Sequence, residues 1–479
     1  MGTPMNHFTL RSWLRHLDGT DRLAAIDQKV SLKHELAAVA KKLDGVKAAC
    51  FTRAGSHSMP VISGFMSKRS WIAEAMGVPE SALLQTFRAA SENPRPCQII
   101  TNARCQQIQI TTDIDLEKTL PIPVHSEHDN GAYITAGLVI ARNPKSGVQN
   151  VSINRLQVQS KNRLGILMLP RHLLAFYKEA ESRGEPLSVA IVIGVDPLTL
   201  LASQAILPID VDELTVSSAL HANPLEVTRC LTSDLEVPAD AEIIIEGRIL
   251  PKVRELEGPF GEFPKYYSAQ EQREVIEVEA ITHRKDPLFH TIVPAEMEHL
   301  LLGAIPREAT ILSLLQKSFP GVRDVRLTTG GVCRYHLFVK FQKKREGEPK
   351  NVILGAFAAH YDIKHVVVVD EDVDIHNPTE VEWALATRFQ ADRDLVIIHG
   401  AQGSLLDPST TVHHTEIGLS DVPAEQQGIS SKLGFDATKP VSYKGHVFTR
   451  VRIPGQESID LKHYVANRTV GKNLPPLED

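Results

Sequence analysis

Two glutamates five residues apart, Glu257 and Glu262, enclose the run Gly258-Pro259-Phe260-Gly261. That spacing suits neither one face of a helix nor one face of an unbroken strand. Glycine and proline instead specify a tight, fixed turn. Such a turn can carry two carboxyl groups to one point, where mutual repulsion and partial burial push their pKa values apart. One acid beside one carboxylate at neutral pH is what proton delivery to a carbon centre requires. The other reading of these residues is a surface turn with two solvated acids.

Arg155, five positions after Asn150, lies on the opposite side of the same extended run. It can pair bidentately with Glu257 or with a substrate carboxylate. The alternative is a salt bridge at a strand edge. Asn150, His172 near the start of one expected helix, and Glu213 at the start of the next offer amide, imidazole and carboxylate donors. That set suits a fairly hard divalent ion, manganese or magnesium, which also takes phosphate oxygens. Helix N-termini add amide donors for the phosphate. Taken singly, each residue reads equally well as a cap or a solvated side chain. The cluster Asp370-Glu371-Asp372-Val373-Asp374 lacks the glycine and terminal glutamate of an EF-hand and reads as solvated acids. His413-His414 has no third ligand at recognisable spacing, and Gly330-Gly331 reads as a plain turn.

The elements that must hold these residues fall into three regions. Helical spacing over 8–45, short apolar strands near 48–51 and 61–65, and a helical stretch over 71–87 describe an N-terminal α/β domain, 1–100. Residues 91–96 read as its exit linker. From 101 to 304 strands dominate, at 108–112, 134–142, 187–193, 241–249 and 275–282. Glu246-Gly247 marks a bulge or turn. Helices are expected over 170–182 and from Asp212, a cap, to about Leu220. Many strands with few helices predict a barrel or strongly bent sheet. A helix starting at Pro306 links this region, over 305–319, to a second α/β domain, 320–479. The tail around Asn473-Leu474-Pro475-Pro476 reads as loosely held.

The chain has 479 residues, more than one hydrophobic core usually serves. With 42% hydrophobic and 23% charged residues it is globular. A net charge of −6 argues against nucleic-acid binding by bulk electrostatics. No apolar run is long enough to span a membrane, and the start of the chain lacks the pattern of a secretory signal. Five scattered cysteines without a CxxC pair suggest neither a disulfide framework nor structural zinc, which fits a reducing cytoplasm.

Several separate stretches together resemble the UbiD family of prenylated-FMN-dependent decarboxylases. They are Asn150 to Arg155, Leu169-Pro170-Arg171-His172, Asp212-Glu213-Leu214, and Glu257 to Glu262 continued through Ser268. Lys364 to Asp374, Trp383 to Arg388 and Lys432 to Thr438 complete the order. The resemblance implies a multidomain α/β fold in which a split β-barrel binds the flavin between the two α/β domains. The C-terminal domain is then used for oligomerisation, as a homo-oligomer such as a dimer or hexamer. It implies that Asn150, His172 and Glu213 hold a divalent ion (Mn2+ or Mg2+) against the cofactor phosphate, with a potassium ion nearby held largely by backbone carbonyls. Ser152, Ile153, Asn154 and Arg155, with Met168 and Arg171, lie along the flavin. Glu257, Arg155 and Glu262 form the catalytic trio, with Glu262 as proton donor. The cofactor comes from a flavin prenyltransferase.

The implied reaction is reversible, non-oxidative decarboxylation of an aromatic, heteroaromatic or α,β-unsaturated acid. The modified flavin serves as the electron sink. Burial among Phe260, Phe263 and Tyr266 keeps Glu262 protonated. Two features depart from the family pattern. Ser217-Ser218 replaces an Ala-Gly pair after the metal-ligand glutamate, and the phosphate-contacting lysine has no clear counterpart, with His360 and Lys364 both near its place. His299 and Arg307 fall where relatives line the substrate ring. They are expected to bind a second polar group, such as the distal carboxylate of furan dicarboxylate. The alternative for Arg307 is a cap or salt bridge at its helix start. Two other functions remain open at this level: an FMN-dependent oxidoreductase on a split barrel, and a non-catalytic flavin-binding assembly protein.

Overall fold

The computed structural model describes residues 8–410, 427–443 and 446–464. His413-His414 and the tail after 464 lie outside the described residues. One compact unit spans Met1–Thr438 and a second spans Lys439–Asp479. The described part of the second carries two short 3-10 turns, Gln456–Ser458 and Leu461–His463.

The first unit holds four sheets. Its centre is a nine-stranded, all-antiparallel sheet that includes Leu138–Arg142, Leu187–Ile193, Ile243–Glu257 and Glu271–His283. Its strands read as unbroken apolar runs because both faces are covered. Along them, Leu138, Ile140, Ala190, Val192 and Ile244 enter one core, while Val139, Ala141, Val189, Ile191 and Ile245 enter another. The period of two in a strand separates the sets. The sheet path runs openly from Tyr133–Ile134 to Gln149–Ile153. No ladder joins these two end strands among the described residues. The expected bulge at Glu246-Gly247 is present as a register shift.

A four-stranded sheet of Leu23–Ile26, Ala48–Phe51, Val61–Ser63 and Phe289–His290 covers one side. A five-stranded mixed sheet follows the central region, in the order Val322–Leu327, His336–Phe341, His365–Asp370, Ile429–Ala437, Leu395–Gln402.

Three expectations need correction. The stretch 71–87 is two helices, Arg69–Ala75 and Leu83–Glu92, with a 3-10 turn between them. Gly77, at φ 70°, and Pro79 interrupt it. The linking helix begins at Met297, not near Pro306, and runs to Ser318 with the proline inside it. An internal proline costs about 3 kcal/mol. Burial of Leu300, Leu301, Leu302 and Ile305, each contributing about 1.5–3 kcal/mol, outweighs that loss. Finally, the acids of 370–374 are not all solvated: buried Arg388 pairs with Asp370 and Asp372 at 2.7 and 2.9 Å.

Candidate active site

Glu257 is the last residue of the strand Ile243–Glu257, not part of the turn. The turn begins at Gly258, whose φ of 85° and close approach to Ala269 leave no room for a side chain: an added Cβ would lie 2.6 Å from the Ala269 carbonyl oxygen. From the strand end, Glu257 accepts a fork of two bonds from Arg155, Nε to Oε1 at 2.9 Å and Nη2 to Oε2 at 2.7 Å. The Tyr133 hydroxyl donates to Oε1 at 3.2 Å. After the turn, Glu262 Oε1 accepts from Arg155 Nη1 at 2.5 Å. The two acids therefore do not face each other unscreened; one guanidinium bridges them. Phe260 lies under it, 5.2 Å from ring centroid to guanidinium carbon.

Burial separates the roles. Glu257 is fully buried, and its fork with Arg155 fixes the arginine side chain. Burial pushes the Glu262 carboxyl above the usual carboxylate range, against the pull of Arg155. Burial opposes the charge on Arg155, but the two carboxylates outweigh it and hold the guanidinium protonated. Phe260 and Phe263 are buried walls of this site, whereas Tyr266 is 62% exposed and shares only the larger cavity with Glu262.

Arg155 and Glu262 stand on a wall shared by two adjoining cavities of about 310 and 610 Å³. Ile153, Asn154 and Arg171 line the smaller cavity, and Met168 lines the larger. This is room for a planar ring system beside a substrate. Ser152 lines neither cavity; its hydroxyl donates to Asn154 Oδ1 at 2.9 Å.

Asn150, His172 and Glu213 lie together off both cavities. His172 Nδ1 is 3.1 Å from Asn150 Oδ1, and Glu213 Oε2 accepts from the Val151 amide at 2.7 Å. Asp212 caps the helix Glu213–Leu220, as expected. Glu213 is buried with no cationic side chain among the described residues bonded to it, and burial pushes its carboxyl up to about 8. Burial and Arg171 hold His172 below its usual pKa, in the neutral form that binds metals. A buried carboxylate without a counter-charge, beside a neutral imidazole and an amide oxygen, fits a divalent cation. Ser217 and Ser218, on the same helix, are fully buried and paired: Ser217 with Thr199 at 2.8 Å, and Ser218 with the Pro96 carbonyl at 3.0 Å.

His299 and Arg307 both line the smaller cavity. Arg307 is not at its helix start. It sits mid-helix, where Nη1 donates to the Gly303 carbonyl at 2.7 Å and Nε is buried without a partner. Asp362 is 3.9 Å away. Burial and the nearby arginines push His299 down to about 3, so the ring is neutral.

Arg334 was not legible as a site residue. It follows Val332 and Cys333, which both adopt positive φ in a turn that reads as ordinary. The turn sets Arg334 into the same cavity, buried against Gly303, with Phe263 5.2 Å away. Neither composition nor spacing signals this, because the strain belongs to residues not known for it. Burial lowers the pKa of both arginines, with Arg334 adding to it at Arg307 and Arg171 at both, while Asp362 is the nearest acid opposing it. Lys364 is tied to Asp407 and Ser409 at 2.8 and 2.5 Å, and His360 stacks on Tyr361.

Comparison with known proteins agrees with this arrangement. Residues 98–297 match the 3-octaprenyl-4-hydroxybenzoate carboxy-lyase Rift-related domain, 14–91 its N-terminal domain and 300–437 its C-terminal domain. An anhydromevalonate phosphate decarboxylase from Methanothermobacter thermautotrophicus is 43% identical over 80% of this chain and 86% of its own. The UbiD-class enzyme HmfF from Pelotomaculum thermopropionicum, solved in complex with FMN, superposes with a TM-score of 0.90 at 48% identity, covering 95% of this chain and all of HmfF. An evolved dimeric form of HmfF with prenylated FMN gives 0.87 at 46% identity, over 96% of this chain and all of that one. No helix among the described residues is long and apolar enough to cross a membrane. The three matched domains, in family order and around one arginine held between two glutamates, place this chain in the UbiD family of carboxy-lyases.

Proposed function

We propose that this carboxy-lyase acts reversibly on aromatic or heteroaromatic acids that carry a second anionic group, using prenylated FMN. The bridging of Glu257 and Glu262 by Arg155 at a cavity wall carries the reading. Prenylated FMN, when bound, supplies the electron sink that an aromatic carboxylate lacks. Asn150, His172 and Glu213 would hold manganese or magnesium for its phosphate, with potassium as a further ion, and Ile153, Asn154, Met168 and Arg171, with Ser152, would bind its ring system.

Arg155, fixed by Glu257, orients the reacting carboxylate. Glu262 keeps its proton because it is buried, and passes it from its carboxyl oxygen to the carbon that carbon dioxide leaves. Phe260 and Phe263 exclude water from that transfer. The domains 1–100, 101–304 and 320–479 take the N-terminal, flavin-binding and oligomerising roles. The evolved dimeric form of HmfF supports a homo-oligomer.

Protein co-expressed with a flavin prenyltransferase tests the reading by absorption and mass spectra, followed by exchange of labelled carbon dioxide into furan-2,5-dicarboxylate. Plain FMN that is reduced by a nicotinamide, with no exchange, would replace it with an oxidoreductase. Glu213→Ala is expected to lose bound metal and most bound flavin, read by metal analysis and the flavin absorbance of purified protein. Arg307→Ala is expected to weaken turnover of the di-acid by about 10-fold or more, and of 2-furoate much less, because a charged hydrogen bond contributes about 1.5–3 kcal/mol. Equal losses for both acids would remove the distal-group role. A second reading, a distal phosphate on an unsaturated aliphatic acid, is favoured by the archaeal relative's name together with the paired arginines. Exchange into such a phosphate and not into the furan acid would establish it.

A further inference from the structure

The strand pair Tyr133↔Gln157 and Ile134↔Leu156, continued by one residue, sets Thr135 opposite Arg155. Directly opposed residues of an antiparallel pair send their side chains to the same face. Both residues line the smaller cavity. Behind Thr135 runs a buried polar chain. The Ile292 amide donates to Thr135 Oγ1 at 3.0 Å, Thr135 Oγ1 lies 3.1 Å from Thr291 Oγ1, and Thr291 Oγ1 lies 2.7 Å from His125 Nε2. His125 is buried, and its Nδ1 has no hydrogen-bond partner among the described residues.

That orphan nitrogen decides the direction of the protons. A proton on Nδ1 would leave a buried N–H donor without an acceptor, which is rarer and costlier than an unused lone pair. The proton therefore sits on Nε2 and is donated to Thr291, which donates in turn to Thr135. Thr135 Oγ1 then accepts from both Thr291 and the Ile292 amide. Its own proton is left for the cavity.

We infer that the Thr135 hydroxyl is a second donor, beside Arg155, for the reacting carboxylate, and that His125 sets its direction through Thr291. Burial keeps His125 neutral, down at about 3, so the chain carries one fixed polarity. The inference rests on the carboxylate-binding role proposed for Arg155.

Calorimetric binding of 2-furoate to FMN-loaded protein tests it without turnover. Thr135→Val is expected to raise the Kd about 10- to 100-fold with flavin content kept, as for a lost bond to a charged group, and to lower the melting temperature because the Ile292 amide and the Thr291 hydroxyl lose their acceptor. Thr135→Ser should stay within a few-fold of the wild type. His125→Leu should weaken binding, and His125→Gln, which keeps a donor, should restore it. Wild-type affinity in Thr135→Val, or equal losses in the two His125 variants, overturns the inference. If Arg155→Met weakens binding and Thr135→Val does not, only the inference falls. If neither variant weakens binding, or the wild type does not bind 2-furoate, the proposed role of Arg155 falls with it.

Discussion

Glu262→Gln is expected to lower net decarboxylation, read as carbon dioxide release, by about 10²- to 10⁴-fold, the usual contribution of a positioned general acid. Glutamine keeps the size of the side chain and can still lie against the Arg155 guanidinium, so the melting temperature and flavin content should hardly move. What disappears is a proton that the site can give to carbon. The pH profile provides a second check. Burial raises the Glu262 carboxyl, so the acid form persists above the range of an exposed glutamate. The step that consumes this proton is at full rate below the raised pKa and slows as pH rises through it. Glu262→Gln should lose that alkaline limb. A variant that retains both rate and limb would take Glu262 out of the chemistry and leave it a structural partner of Arg155.

Arg155→Ala is expected to be damaging in two separable ways. Its partner Glu257 is fully buried and takes two bonds from the one guanidinium. Removing one member of such a pair leaves a charge without compensation and costs about 3–5 kcal/mol. The guanidinium proposed to orient the reacting carboxylate is lost at the same time. Arg155→Met combined with Glu257→Gln removes both charges and should recover much of the stability without recovering turnover. Denaturant midpoints read the first effect and carbon dioxide exchange the second. If the double variant were as unstable as Arg155→Ala, stranded charge would not be the cause. Arg155→Lys should also fail, since an ammonium cannot reproduce the fork that meets both oxygens of Glu257.

The family, several of the strands and helices and the two acids of the site were legible in the chain, for local reasons. Apolar runs at 134–142, 187–193 and 241–249 announce strands whatever lies beside them, although the first is broken into Tyr133–Ile134 and Leu138–Arg142, and Asp212 announces the helix behind it. Pro306 misled because a proline marks a helix start in isolation, whereas here the buried leucines before it carry the helix through. Tyr266 lines the larger cavity beside Glu262 but covers it less than expected, because its position in the turn does not say how much of the ring stays in solvent.

Sequence by itself determined which side chains are present to act: Glu257 and Glu262 around a turn that needs glycine, Arg155 on a strand, and Asn150, His172 and Glu213 at element ends. Only the tertiary structure decided that a single guanidinium holds both acids, that Arg334 joins Arg307 in the cavity, and that Thr135 stands opposite Arg155 with a buried histidine behind it. Each of those contacts joins residues far apart in the chain. Their geometry and burial come from sheet register and helix packing, which local periodicity does not encode.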